Sequence, residues 1–302
     1  MNLQALIEQL IILFTIIFLG WGAVKIGLLP KNANGTLAAL VVNITNPCMV
    51  LSSVMGGQRV LTIGQVWLLL AAAFGMHGFL MLMGLAARKL LRVPESQQGM
   101  YQFMCVFGNL GFLGFPVIKA LYGDQALLLA SLFVMSFQFL CYTYGISLFK
   151  KGQFRWKTLI RPMLIATVLA LVLYLTNARP PEMVHRVVST IGSITSPAAM
   201  LAIGCALASV PLKKVFTNWR LYFVGLFKLV LAPAAIFLLC RGWMPSEMML
   251  GVTVACSAMP AATNTTLLAN LYGGDESLAA SGVFLTTLMS MMTMPLMMWL
   301  LF

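Results

Sequence analysis

Helix-breaking and polar residues interrupt two long apolar stretches of this 302-residue chain. They are Asn109, Gly111 and Pro116 in the first stretch, and Pro260, Thr263, Asn264 and Thr265 in the second. Glycine and proline disfavour a continuous helix, and non-helical backbone at membrane depth is tolerated only where it is buried in protein or lines a cavity. A helix that restarts after such a break begins with unpaired N–H groups and a positive dipole end, which favour an anion. With amide and hydroxyl donors nearby, the pattern predicts a carboxylate-binding site without a fixed cation.

Two further clusters combine small polar residues with a proline. They are Asn43, Asn46 and Pro47 in one apolar stretch, and Ser196 and Pro197 in another. We interpret both clusters as lining the same cavity as the interrupted stretches. The alternative for these two clusters is that their polar residues hold neighbouring helices together by hydrogen bonds. For the two interrupted stretches, the alternative is a proline kink without a functional role.

Two basic side chains, Lys228 and His77, lie in the middle of apolar stretches. A charge at membrane depth is costly and indicates a functional site by default. We therefore expect Lys228 to act in ion coupling or in attracting an anionic substrate. His77 is a second candidate for coupling, although a neutral histidine can also be satisfied inside a protein core.

The positions of the other reactive residues exclude several classes of protein. Six acidic residues fall in or beside the connectors between apolar stretches: Glu95, Asp124, Glu182, Glu247, Asp275 and Glu276. Buried carboxylates of the kind that hold the ion of a cation/proton antiporter are therefore not expected. The sequence has no HExxH motif, no pair of mid-membrane aspartates and no P-loop, and its six cysteines are scattered singly. We expect a protein that is not an enzyme and that holds no cofactor and no metal.

The composition requires a membrane environment. Hydrophobic residues make up 61% of the chain and charged residues 9%, whereas soluble domains carry roughly 25% charged residues. Apolar runs long enough to cross about 30 Å of hydrocarbon predict an all-α integral membrane protein. Ten spanning helices are expected, at approximately residues 5–27, 35–55, 62–87, 99–121, 125–149, 158–176, 187–209, 219–240, 247–270 and 277–301. No soluble domain is expected.

The charges of the connectors predict the orientation. Connectors after the odd-numbered spans carry thirteen Lys and Arg residues, and the connectors on the other side carry five. Because positively charged connectors stay in the cytoplasm, both termini are predicted to be extracytoplasmic, in a multi-pass protein of the plasma (inner) membrane.

An internal repeat divides the chain into residues 1–150 and 151–302. The Leu-Tyr-Gly at residues 121–123 recurs at 271–273, and the Ile-Thr-Asn-Pro at 44–47 recurs as Ile-Thr-Ser-Pro at 194–197, both at an offset of 150. Each half has five predicted spans, an odd number, so the second half must enter the membrane inverted relative to the first. Inverted repeats are typical of alternating-access transporters. Duplication in a structural membrane protein is the alternative.

Several of these segments together resemble the auxin efflux carrier family, which includes plant auxin exporters and bacterial carriers assigned to malate or malonate. The resemblance rests on residues 108–123, 40–47, 228–233 and 259–260, and it covers essentially the whole chain. It implies ten helices in two inverted five-helix repeats, with helices 4 and 9 broken and crossing, as in sodium/proton antiporters and bile-acid symporters. It also implies a homodimer and assigns carboxylate contact to Asn109. The long cytoplasmic loop of many plant members is absent, which disfavours auxin as the substrate.

The resulting hypothesis is a secondary active transporter that binds a small organic anion, such as malate or malonate, at the crossing of helices 4 and 9. In this hypothesis the bundle of one half rocks against that of the other. One alternative is a sodium-coupled symporter of the same architecture, and another is a membrane sensor or binding subunit that does not transport. The particular anion, the coupling ion (H⁺ or Na⁺) and the direction of transport stay open. No nucleic acid is expected as a partner.

Overall fold

A computed structural model describes residues 3–30, 32–55, 61–149, 162–208 and 212–302. Within these ranges the chain forms helices joined by turns, and one isolated β-bridge. The helices are α1 (Leu3–Lys25), α2 (Ala33–Met55), α3 (Ile63–Leu90), α4 (Glu95–Val106), α5 (Leu110–Tyr122), α6 (Ala126–Gly145), α7 (Pro162–Thr176), α8 (Glu182–Ala208), α9 (Leu212–Thr217), α10 (Trp219–Cys240), α11 (Glu247–Ser257), α12 (Asn264–Tyr272) and α13 (Glu276–Leu301).

Seven of these helices are long and apolar enough to cross a membrane, namely α1, α2, α3, α6, α8, α10 and α13. Three more, α5, α7 and α11, are shorter but also apolar. Each of the ten predicted spans coincides with one or two of the thirteen helices. Seven of the basic connector residues that predict the orientation lie outside the described residues: Lys31, Arg59, Lys150, Lys151, Arg155, Lys157 and Arg161.

Prolines explain where three of the apolar helices change their winding. Four single π turns occur among the described residues, and the one at Cys141–Gly145 in α6 has no proline after it. The other three are at Val41–Thr45 in α2, Leu110–Gly114 in α5 and Phe227–Leu231 in α10, and a proline follows each of these three after one intervening residue. Proline has no N–H and its ring clashes with the carbonyl four residues earlier. That carbonyl lies inside the π turn in all three helices, so the wider turn accommodates the ring and leaves backbone groups free. Such turns are frequent at functional sites.

The helices pack into two groups. The four-helix bundle consists of α1, α2, α7 and α8, in which α8 packs along both α1 and α2, and α7 packs on α2. The crossing bundle consists of α3 to α6 and α9 to α13. Each group contains helices from both halves of the sequence. The described contacts between the groups are made mainly by α1 and α8 against α5 and α13, and by α2 and α7 against α6.

Glycines allow α1 and α8 to lie very close together. A Cβ added at Gly204 would lie 2.1 Å from the carbonyl oxygen of Ile17, and one added at Gly20 would lie 2.7 Å from that of Leu201. Contacts below 3.0 Å are not tolerated without movement of the backbone, so only glycine fits at either position. Small residues of this kind permit close packing of membrane helices, where dispersion rather than the hydrophobic effect drives association.

Candidate functional site

Two pairs of helices are separated by short non-helical segments. Residues 107–109 separate α4 from α5, and residues 258–263 separate α11 from α12. The two segments run antiparallel and pair at one point, where Gly108 lies opposite Ala261. We call this pairing the crossing. The C-terminal ends of α4 and α11 and the N-terminal ends of α5 and α12 all lie next to it in the chain.

Backbone hydrogen bonds hold the crossing together. The two bonds that flank the central pair are Asn109 N to Pro260 O (2.7 Å) and Ala262 N to Phe107 O (3.0 Å). Residues flanked in this way face each other at the closer of the two antiparallel spacings, about 4.5 Å between Cα atoms. A Cβ added at Gly108 would lie 3.0 Å from that of Met259, which explains glycine at this position. Thr286 of α13 supports the second segment, because its Oγ1 accepts from Ala261 N at 3.1 Å.

Asn109 begins α5 with one end of its amide bonded and the other free. Its Oδ1 accepts a hydrogen bond from Phe112 N at 3.3 Å and so caps the helix. Its backbone (φ −76°, ψ 62°) forms an inverse γ-turn, in which Leu110 N donates to Gly108 O. The residue is only 3% exposed, yet Nδ2 has no partner in the structure. A buried donor without an acceptor is costly, and the predicted role of Asn109 in binding an anion would supply this acceptor.

Asn46 joins the four-helix bundle to the crossing bundle. Its Nδ2 donates to the carbonyl oxygen of Gly111 at 3.0 Å, and its Oδ1 is buried without a partner. Pro47 beside it is also buried. Asn43 is placed differently, since it is exposed and donates to Ala39 O of its own helix at 2.9 Å. Of the two predicted asparagines of α2, only Asn46 therefore contacts the segment that begins α5.

The predicted residues of the second segment have unequal roles. Pro260 is buried and contributes its carbonyl oxygen to the crossing. Thr265 is fully buried, and its hydroxyl donates to Ala262 O at 2.6 Å. Thr263 and Asn264 are partly exposed at the start of α12. The groups left accessible at this end are therefore those of Thr263 and Asn264.

Lys228 lies against the helix ends of the crossing. It is 1% exposed, within the π turn of α10, and its Nζ donates to the carbonyl oxygen of Val106 at 3.0 Å. Val106 is the last residue of α4, where carbonyls lack partners within the helix and the dipole is negative. Cε of Lys228 lies 3.5 Å from the position that a Cβ would take at Gly108 of the crossing. The role of Lys228 in coupling or substrate attraction stays a prediction, and the structure shows the ammonium capping the end of α4.

His77 is buried in α3, and its contact with the crossing is the packing of its imidazole near the ring of Phe107. Its Nδ1 lies 2.8 Å from Ala73 O and 3.1 Å from the hydroxyl oxygen of Ser136. Because the Ser136 hydroxyl donates to Phe133 O at 2.9 Å, the hydrogen on Nδ1 belongs to the histidine in this assignment. The imidazole packs 6.2 Å from the ring of Phe107, centroid to centroid.

A cavity of about 1060 Å³ opens between the two bundles. The serine and tyrosine hydroxyls that line it come from the four-helix bundle, and the ion pair of Lys119 with Asp124 (2.7 Å) stands on the wall formed by the crossing bundle. The predicted residues Pro116 and Ser196 are part of its lining. Asn109, Gly111 and the described residues of the second segment are not, and Pro197 is exposed outside it. The structure therefore brings Asn46 to the start of α5, where Gly111 and Asn109 lie, and places Pro116 and Ser196 apart from them in the lining of the cavity.

Two further candidate residues are not identified when the sequence is searched for amides and prolines. Most helical Ser and Thr hydroxyls bond back to a carbonyl three or four residues earlier, as Thr167 does with Met163 O. The hydroxyls of Thr45 and Thr195 are buried and have no partner. These threonines are 150 residues apart and each precedes the polar–proline pair of its cluster. The repeat could therefore have identified these two threonines, although nothing in the sequence showed that their hydroxyls have no hydrogen-bond partner.

Comparison with known proteins gives one family and two relatives. The family model described as "Membrane transport protein" matches residues 5–155 and 151–298. A protein of Methanocaldococcus jannaschii named "Uncharacterized transporter" is 26% identical over 227 residues, which are 72% of this chain and 73% of that protein. A protein of Rhizobium meliloti named "Putative malonate transporter" is 22% identical over 302 residues, 93% of this chain and 91% of that protein.

Proposed function

This chain belongs to the membrane transport protein family, and on that premise we propose that it is a secondary active transporter of a small organic carboxylate anion. The observation that carries the proposal is the crossing, where the buried Nδ2 of Asn109 has no partner beside the start of a broken helix. Helix N-termini and an amide donor suit a carboxylate. Malonate or malate is the proposed class of substrate, since one relative is named for malonate.

The proposed architecture is ten spans in two inverted repeats, residues 1–150 and 151–302. Two observations support it. Each predicted span coincides with one or two helices, and the two segments matched by the family model meet near residue 150. Interrupted helices at corresponding positions of two halves are the best pointer to a transporter's binding site. A homodimer belongs to the same proposal.

Alternating access is proposed to move the crossing bundle against the four-helix bundle. The moving unit is then a bundle and not one half of the sequence, as the sequence hypothesis has it. The packing does not support one sequence half rocking against the other, because each bundle contains helices from both halves. The 1060 Å³ cavity lies between the bundles, and Asn46 donates across their boundary to Gly111. A ligand bound at Asn109 would therefore lie close to the Asn46–Gly111 hydrogen bond, which joins the two moving bundles.

Flux through reconstituted protein tests the proposal. Proteoliposomes preloaded with malonate should accumulate labelled malonate from outside by counterflow, whereas protein-free liposomes should not. A strict need for sodium would favour the sodium-coupled alternative. Stabilisation of purified protein by carboxylates, as mass action predicts for a ligand of the folded state, with no flux under any gradient would favour a sensor or binding subunit.

The proposed orientation places both termini outside the cytoplasm, in the plasma (inner) membrane. Alkaline phosphatase folds to an active enzyme only outside the cytoplasm, so a fusion after Phe302 should be active and a fusion after Leu91 inactive. Arg88, Lys89 and Arg92 surround the second fusion point and are expected to hold it in the cytoplasm. The opposite pattern would reverse the proposed orientation.

A further inference from the structure

Lys228 lies between the ends of both broken helices, not against one of them. Its Nζ donates to Val106 O at the C-terminus of α4 (3.0 Å). A Cβ added at Gly108 would lie 3.5 Å from Cε of Lys228 and 3.2 Å from the carbonyl oxygen of Met259, which is two residues beyond the end of α11. One buried lysine therefore lies near the C-terminal ends of both helices that stop at the crossing.

The charges of these groups balance. The C-terminus of a helix is equivalent to about −0.5 elementary charge, so the ends of α4 and α11 together supply about −1 against the single ammonium. Among the described residues no carboxylate pairs with Lys228, since the two ion pairs join Lys119 to Asp124 and Arg186 to Glu182. The lysine is thus matched by helix ends alone, and none of its charge is needed for a substrate.

The remaining charge at the crossing comes from the two helices that begin there. The N-termini of α5 and α12 carry about +0.5 each, which together match one negative charge. The other groups nearby are neutral: the unpartnered Nδ2 of Asn109 and Oδ1 of Asn46, both in residues that are 3% exposed. The first is a donor and the second an acceptor. A ligand that carries one carboxylate and one proton on a second acidic group complements both.

Resting on the proposed function, we propose that the crossing binds its substrate as a monoanion, and that Lys228 is the positioning residue that sets this charge. A dicarboxylic acid then binds with one carboxyl group ionised and the other protonated. The proton stays on the substrate through the transport cycle, so that one proton crosses with each dicarboxylate and no protein group has to take it up. Lys228 touches the helix ends and not the substrate.

Binding measured against pH tests this charge on the unmodified protein. Malonate loses its second proton within the accessible pH range, whereas its monoamide, malonamate, keeps a single charge. Above the second ionisation of malonate, each further pH unit reduces its monoanion tenfold, and we expect its apparent Kd to rise tenfold per unit. The Kd of malonamate should stay constant. Malonamate also controls for titration of the protein, because Lys119, Asp124 and His185 on the cavity wall meet both ligands.

Substitution of Lys228 gives a second, independent measurement. Lys228→Arg keeps the charge and should bind malonamate as the wild type does. Lys228→Met leaves the C-terminal ends unmatched and should bind malonamate at least tenfold more weakly, while its affinity for the neutral diamide, malonamide, should change less. If Lys228→Met fails to fold, the pH comparison on the wild type still tests whether the substrate binds as a monoanion.

The possible failures are distinguishable. A malonate affinity that is unchanged or higher where the dianion predominates would overturn the monoanion proposal and leave a carboxylate transporter in place. If malonate, malonamate and other carboxylates bind at no pH, the proposed function itself fails.

Discussion

Asn109→Ala should bind carboxylates about 10- to 100-fold more weakly than the wild type, because a hydrogen bond to a charged group contributes about 1.5–3 kcal/mol. Nδ2 of Asn109 is a buried donor without a partner among the described residues, so its removal takes nothing from their hydrogen bonds at that atom. Isothermal titration of purified protein with malonamate measures the loss directly. Counterflow should fall with it.

The substitution also removes a helix cap, and the two effects must be separated. Oδ1 of Asn109 accepts from Phe112 N, and loss of such a cap costs about 0.5–2 kcal/mol of stability. Asn109→Ser keeps a capping oxygen, so it should melt like the wild type and still bind poorly. Asn43→Ala removes an amide that is exposed and bonded within its own helix and should leave binding unchanged. Normal binding by Asn109→Ala would remove Asn109 from the site.

Gly20→Val should destabilise the fold by about 1–3 kcal/mol, the usual cost of forcing extra atoms into a packed interior. The first added carbon would lie 2.7 Å from the carbonyl oxygen of Leu201 and 3.3 Å from Cα of Gly204. Both are backbone atoms, so α1 and α8 must move apart. The apparent melting temperature in detergent should fall clearly.

Gly22→Val is the matched control for this substitution. It makes the same chemical change on the same helix, two residues further on, and a Cβ at Gly22 would meet no atom within 4 Å. It should melt within experimental error of the wild type. Equal melting temperatures for Gly20→Val and Gly22→Val would show that the α1–α8 contact does not limit stability.

The positions of the helix breaks could be predicted from sequence because their causes are local. Gly108 and Pro260 lie within the non-helical segments at 107–109 and 258–263, where a missing side chain or a missing N–H disfavours a helix. Pro116 lies instead inside α5, where the π turn accommodates its ring. The depth of Lys228 follows from the apolar residues on both sides of it in the same way. Its partner does not, because the carbonyl of Val106 is 122 residues away in the chain.

The grouping of the helices could not be predicted, because it depends on faces that meet across the whole chain. Gly20 and Gly204 are unremarkable in their own helices, and only the packing of α1 on α8 shows why they are small. The same holds for Asn46 and Asn43, which differ in sequence only by three positions. Helical geometry turns Asn46 toward Gly111 and leaves Asn43 exposed.

The makeup of the four-helix bundle has a consequence for how the protein is made. α1 spans Leu3–Lys25, but its partner α8 ends only at Ala208, so during synthesis the face around Gly20 is inserted before α8 is available to pack on it. The crossing has the same dependence, because residues 107–109 pair with a segment beyond residue 257. Contacts of such high sequence separation form late. The inserted first half therefore exposes contact surfaces in the membrane that stay unpaired until the second half is inserted.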